Sequence, residues 1–233
     1  MPVAIITGAS KGLGRALAVA LARRGWDLVL DARSGAVLRE TADDVGKYGT
    51  RVEALSGDVT DVAHRAELVA VARGLGGLDL LVNNASALGA EPLVRLDALP
   101  VEGLRRALEV NVVAALGLVR EALPLLRESA GGAVVSVSSD ASAEAYETWG
   151  GYGASKAALD QLSAVLAVEE PGLRVWAVDP GDMRTDLYRA AAPLDDDSDR
   201  PLPETVVPAF LRLLDERPDS GRYAAPSLLL EAR

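Results

Sequence analysis

The 233-residue chain contains no cysteine, which excludes a disulfide framework, a thiol nucleophile and any thiolate metal site. It has one histidine, His64, set in a polar, helical-looking stretch and read as a surface residue rather than a ligand. Aromatic residues make up only 4%, so a core must be assembled mainly from Ala, Val, Leu and Ile. Positive charge is outweighed: a formal net charge of −10 argues against nucleic acid or an anionic membrane surface as a partner. There is no uninterrupted run of 18 apolar residues, and the chain opens on strand-like sequence, so neither a signal peptide nor a membrane span is expected. These absences leave a soluble, cytoplasmic protein of ordinary size.

What is present is alternation. Apolar, β-branched runs at Val3–Ile6, Asp27–Ala32, Arg51–Leu55, Leu78–Asn83, Ala133–Ser138 and Leu173–Asp179 predict six strands. Helices are expected between them, at about Gly14–Arg24, Ala36–Lys47, Thr60–Gly74, Val101–Glu128 and Gly151–Glu169. A last helix at about Pro203–Glu216 and a short strand at about Gly221–Ala225 close the chain. Strands alternating with helices imply right-handed crossovers and an α/β fold, a Rossmann-type doubly wound parallel sheet. No linker divides residues 1–233, so a single domain is expected. Its one irregular segment is the proline-flanked acidic run Asp195-Asp-Asp-Ser-Asp199.

Two stretches carry chemistry. Thr7-Gly8-Ala-Ser10-Lys11-Gly12-Leu13-Gly14 joins the first strand to the first helix. Its glycines allow a tight turn and close approach, and a helix N-terminus offers free N–H groups to a phosphate. Tyr152-Gly-Ala-Ser-Lys156 places a phenol and an ammonium at i and i+4, one turn apart on the same helix face. An ammonium held there favours the phenolate and should draw the tyrosine pKa down from its usual value of about 10. Asn111 shares a helical stripe with Leu104, Leu108, Ala115 and Leu118, which points it inward. A buried amide needs partners, and neighbouring backbone is the simplest one.

The spacing G-x-x-x-G-x-G resembles the short-chain dehydrogenase/reductase family, and further matches follow in that family's order. They are Asp58-Val59 after the third strand, Asn83-Asn84-Ala85 after the fourth and Asn111 in the long helix. Ser139, Tyr152, Lys156, Pro180-Gly181 and Thr185 complete the set, so the resemblance covers about residues 3 to 187. It implies a catalytic group of Asn111, Ser139, Tyr152 and Lys156. In that group Tyr152 acts as general acid or base, Lys156 holds the nicotinamide ribose, Ser139 polarises the substrate oxygen and Asn111 holds a relay water. The family's thirteen-residue spacing to the tyrosine selects Ser139, and strand alternation turns Ser138 the other way. The resemblance also implies cofactor contacts from Gly8, Ser10, Lys11, Gly12, Leu13 and Gly14 in the turn. Asp58, Val59, Asn84 and Ala85 would flank the adenosine, while Pro180, Gly181 and Thr185 would face the carboxamide.

Two departures stand out. Ser86 occupies the position where the family usually has glycine, and the tail from Tyr223 to the C-terminus lacks the usual Asp-Gly-Gly ending. Assembly is therefore expected as a homodimer through the long helix and the Tyr152 helix, with a homotetramer as the alternative. The cofactor is expected to be NADP rather than NAD. Ala32 stands where NAD-selecting relatives carry an acid, Asp31 alternates to the other side, and Arg33 with Lys11 can clamp a 2′-phosphate. Residues 186–203 are expected to form a substrate lid. Its carboxylates would repel anionic carriers, which favours a small neutral carbonyl or alcohol; the run could equally face solvent. The competing reading is a dinucleotide-binding sensor with weak catalysis, for which the intact catalytic group has no physical use.

Overall fold

A computed structural model describes residues 1–230. Seven parallel strands form one sheet in the order β3-β2-β1-β4-β5-β6-β7. They are β1 Val3–Ile6, β2 Asp27–Ala32, β3 Val52–Ser56, β4 Leu80–Asn83, β5 Ala133–Val137, β6 Arg174–Asp179 and β7 Gly221–Ala224. The order reverses between β1 and β4, which opens the crevice at their C-terminal ends where such sheets hold ligands. Among the described residues the sheet is entirely parallel, as the strand–helix alternation predicts.

The two faces are covered by different helices. On one side α1 (Gly12–Arg23), α2 (Gly35–Gly46), α8 (Pro203–Glu216) and α9 (Ala225–Leu230) pack on Ile6, Leu28, Leu30, Val135 and Trp176. On the other, α3 (Val62–Gly74) and α5 (Ala115–Glu128) cover Val3, Ile5, Val29, Leu81 and Val134. Successive residues of β2 therefore divide between the faces, as a pleated strand requires. With few aromatics, Trp176 at 0% exposure is the largest fully buried side chain and aliphatic packing does the rest.

Four features differ from the sequence expectations. The helix expected over Val101–Glu128 is α4 (Val101–Leu108), a π-helical turn (Glu109–Ala114) and α5 in succession. The expected loop after β6 contains a short helix, α7 (Asp186–Ala191), capped by Thr185 Oγ1, which accepts from the Tyr188 N–H at 3.2 Å. Helix α9 follows β7 directly where only a tail was expected, and residues 231–233 of that tail lie outside the described residues. Finally, His64 is not a surface residue. It is 7% exposed, because its ring packs inward against Gly57 and bonds Asp31. Helix α6 (Gly150–Glu169) carries Tyr152 and Lys156, as expected.

Candidate active site

The glycine turn is held by Thr7 at the end of β1. Thr7 Oγ1 donates to the Val82 carbonyl at 3.2 Å and accepts from the Asn84 and Ala85 N–H groups at 2.9 and 3.0 Å. Asn84 Nδ2 returns bonds to the Thr7 and Gly8 carbonyls at 2.8 and 3.2 Å. Gly8 and Gly12 take φ of +65° and +53°, which a side chain would strain. A Cβ on Gly14 would lie 2.5 Å from the Gly8 carbonyl oxygen, so the start of α1 approaches the turn only because position 14 is glycine. The turn thus brings the N-terminus of α1, with its free N–H groups, to the mouth of the cleft, an arrangement suited to a phosphate group.

Two lobes of one cleft meet at this turn. The first is lined by Gly8, Lys11, Gly12, Leu13, Asn84, Ala85 and Ser86, and beyond them by Ser138, Ser139, Tyr152, Lys156, Pro180, Gly181 and Thr185. The second lies over β2 and β3 and includes Ser10, Lys11, Asp31, Ala32, Arg33, Asp58, Val59 and Ala85. Every cofactor-contacting residue expected from the sequence thus borders one or the other, apart from Gly14, which sits behind the turn.

In the first lobe Tyr152 is 5% exposed and Lys156 2%. Lys156 Nζ stands 5.4 Å from the centre of the Tyr152 ring and donates to the Val137 carbonyl at 2.7 Å. Burial brings the lysine down to about 8. The tyrosine moves opposite to the sequence expectation: burial pushes it up, Ser86 works against that, and Asp140 and Asp179 add to the rise. The reason is desolvation, which disfavours the charged form of both groups. At neutral pH the phenol keeps its proton, the form a general acid needs.

Ser139 Oγ donates to Asp140 Oδ1 at 3.0 Å and accepts from the Ala141 N–H at 3.2 Å. Ser138 is 1% exposed, with Ser142 Oγ at 3.4 Å, so Ser139 is the more open of the pair. Asn111 takes backbone partners, as its buried position predicts. Its amide accepts from the Ala87 N–H at 2.8 Å, donates to the Ala87 carbonyl at 2.9 Å and donates to Ser155 Oγ at 2.8 Å. Ser155 in turn donates to the Tyr152 carbonyl at 2.7 Å. The π turn, the loop after strand β4 and helix α6 are thereby tied through one side chain.

The comparisons with known proteins give the family to which the chain belongs. The sequence model for short chain dehydrogenase matches residues 2–194. The chain belongs to the short-chain dehydrogenase family. An uncharacterized oxidoreductase of Saccharomyces cerevisiae is 37% identical over 188 residues, 79% of this chain and 72% of that protein. The sepiapterin reductase of Mus musculus is 34% identical over 201 residues, 81% of this chain and 77% of that one. A short chain dehydrogenase of Shigella flexneri, crystallised with NADP, superimposes with a TM-score of 0.90 at 28% identity and 97% coverage of both chains.

Several contacts of this dehydrogenase were beyond sequence reasoning. Asp58 accepts from the Thr60 N–H and hydroxyl at 2.9 and 2.7 Å and from Arg106 at 2.9 Å. Burial would raise its carboxyl, but these bonds bring it down to about 2. Arg106 carried no motif and was missed, as was Ser155. Over the first lobe, Trp149 meets Tyr152 edge-on at 5.7 Å and lies 6.3 Å from Tyr188. The Arg200 guanidinium stacks on Tyr188 at 4.0 Å and pairs with Asp195 at 2.8 Å. Asp197 pairs with Arg189 at 2.9 Å, so two aspartates of the acidic run are compensated, and Asp186 outside it pairs with Lys11 at 2.7 Å. Among the described residues there is no carboxylate or histidine group suited to a metal ion, and no helix long and apolar enough to cross a membrane.

Proposed function

We propose that this short-chain dehydrogenase moves hydride between NADP(H) and a small, neutral, largely apolar carbonyl or alcohol. The observation that carries the reading is the buried Tyr152 beside Lys156 in a cleft that begins at the glycine turn. A bound nicotinamide supplies or accepts the hydride. Tyr152 gives its phenolic proton to the carbonyl oxygen during reduction, and Ser139 donates to the same oxygen. Lys156, cationic below about 8, reaches the ribose side and stabilises the phenolate left behind. Asn111 holds the Ala87 backbone and, through Ser155, the start of the catalytic helix, besides any water it orders.

NADP is favoured over NAD because Ala32 brings no carboxylate to the second lobe and Arg33 and Lys11 border it, even though Asp31, expected to turn away, borders it as well and Lys11 is paired with Asp186. The NADP complex of the Shigella flexneri relative fits that preference. The substrate class follows from Leu88, Val137, Trp149, Met183, Leu187 and Tyr188 around the first lobe. Repulsion of anionic carriers by residues 195–199 carries less weight than the bare sequence suggests, since Arg200 and Arg189 neutralise part of that run. Helix α7 and the segment to 203 act as the lid. A homodimer is proposed through the outer faces of α5 and α6, where Leu116, Val165 and Val168 are 42, 41 and 81% exposed.

NADPH oxidation against a panel of ketones, diketones and aldehydes, with dinucleotide binding measured in parallel, tests the reading. Turnover with at least one neutral carbonyl is expected, and NADPH should surpass NADH in kcat/KM. Tight binding with no turnover on any member would favour a cofactor-binding sensor instead.

A further inference from the structure

The only histidine of the chain is buried beside the cofactor cleft, in a place the reaction does not need. His64 on α3 sets Nε2 2.7 Å from Asp31 Oδ1, and the two side chains are 7 and 3% exposed. Asp31 is the penultimate residue of β2 and borders the second lobe beside Ala32, Arg33 and Ser34. Its main-chain oxygen takes the Ala9 N–H of the glycine turn at 2.8 Å. The imidazole has a fitted place: a Cβ on Gly57 would fall 2.4 Å from Nδ1, so glycine there is what admits the ring. A carboxylate this deeply buried without a partner would be costly, and the histidine relieves that cost.

We propose that the Asp31–His64 pair sets the charge at the floor of the adenosine lobe, making His64 a specificity-determining residue for the ribose 2′-phosphate. This rests on the NADP(H) reading above. With its proton, the pair is neutral. Without it, one negative charge remains in a low-dielectric floor facing a group that carries nearly two. NAD lacks that group and feels the charge far less. Discrimination between the two dinucleotides therefore falls as pH rises through the titration of the pair.

The direction of titration supports this. Asp31 holds the histidine proton above its ordinary range against the opposing effect of burial, with Glu67 and Asp61 adding to the rise. Burial itself lifts Asp31, countered by His64 and the Gly8 N–H, and Asp58 lifts it further. The charged groups around the pair are thus Asp58, Asp61 and Glu67, with Lys11, Arg33 and Arg106 lining the lobe. The change in charge therefore falls above the ordinary range of a histidine.

Dissociation constants for NADP+ and NAD+, measured calorimetrically from pH 6 to 9.5, test the proposal without any substrate. The readout is the ratio of the NAD+ constant to the NADP+ constant. In the wild type it should fall by about tenfold across the range, the scale of one partly buried unit charge near a phosphate. In Asp31→Asn it should stay high with a shallower slope. The titration of the 2′-phosphate itself is common to both proteins and cancels in that comparison. The double variant Asp31→Asn with His64→Gln keeps the shape of the pair without charge and guards against misfolding of the single variant; it too should be high and shallow. The ring 15N shifts of the lone histidine should titrate over the same pH range as the ratio. An equal slope in the wild type and both variants overturns the inference while leaving the cofactor reading intact. Failure of the wild type to bind either dinucleotide overturns the cofactor reading, and this inference with it.

Discussion

A lysine buried to 2% exposure is an unusual possession, and Lys156 shows its consequences in both stability and rate. Burial takes its pKa down to about 8. A lysine in the unfolded chain titrates near 10.4, so between these values the unfolded state binds a proton that the folded state has released. This group's contribution to stability is therefore full above the unfolded value and is lost as pH falls through about 8. Melting of the cofactor-free protein from pH 7.5 to 10 should show the wild type gaining on Lys156→Met as pH rises. Parallel curves would contradict the burial assignment. The same loss of charge predicts that carbonyl reduction slows above pH 8 or so. The pairing of Tyr152 with Lys156 was legible in the sequence because i and i+4 share a helix face. The upward shift of Tyr152 was not, since desolvation depends on what Trp149, Leu88 and Ala141 bury around it.

Helix α4, the π turn and α5 make one rod whose pattern announces a helix but not its irregularity. A π turn adds one residue to the backbone repeat without changing which residue types line the inner face. It is where Asn111 meets both backbone groups of Ala87. Asn111→Ala should cost about 1–3 kcal/mol in urea unfolding, since it strips hydrogen bonds from a buried N–H and carbonyl at once. A loss below about 0.5 kcal/mol, the range of surface substitutions, would show that the clamp is dispensable. The segment after β6 was half legible: proline and aspartate marked it as irregular, but the capping of α7 by Thr185 and the stack of Arg200 on Tyr188 depend on tertiary contact. Arg200→Ala should raise KM and speed proteolytic cleavage within 192–202, with kcat less affected. Unchanged cleavage would detach Arg200 from lid order.

For the molecule as a whole, strand–helix alternation was enough to foresee a parallel sheet, because only right-handed crossovers return each strand to the same layer. What it could not foresee was long-range polar pairing. Asp31 and His64 are 33 residues apart in sequence, and nothing in either local stretch announces a buried pair. The long helix and the Tyr152 helix were expected to carry assembly, but which exposed apolar residues they share, Leu116, Val165 and Val168, emerges only once both helices are placed. Sedimentation equilibrium should return a dimer, and Val168→Glu with Leu116→Glu should return a monomer that keeps its circular dichroism. A wild type that is monomeric at micromolar concentration would remove that face from the account. The most direct test of the whole reading remains steady-state kinetics of Tyr152→Phe with NADPH and the best carbonyl substrate of the panel. The variant should lose more than about tenfold in kcat, a barrier increase above roughly 1.4 kcal/mol, with NADPH affinity nearly unchanged. Retention of more than a tenth of the wild-type kcat would contradict the assignment of Tyr152 as the proton donor.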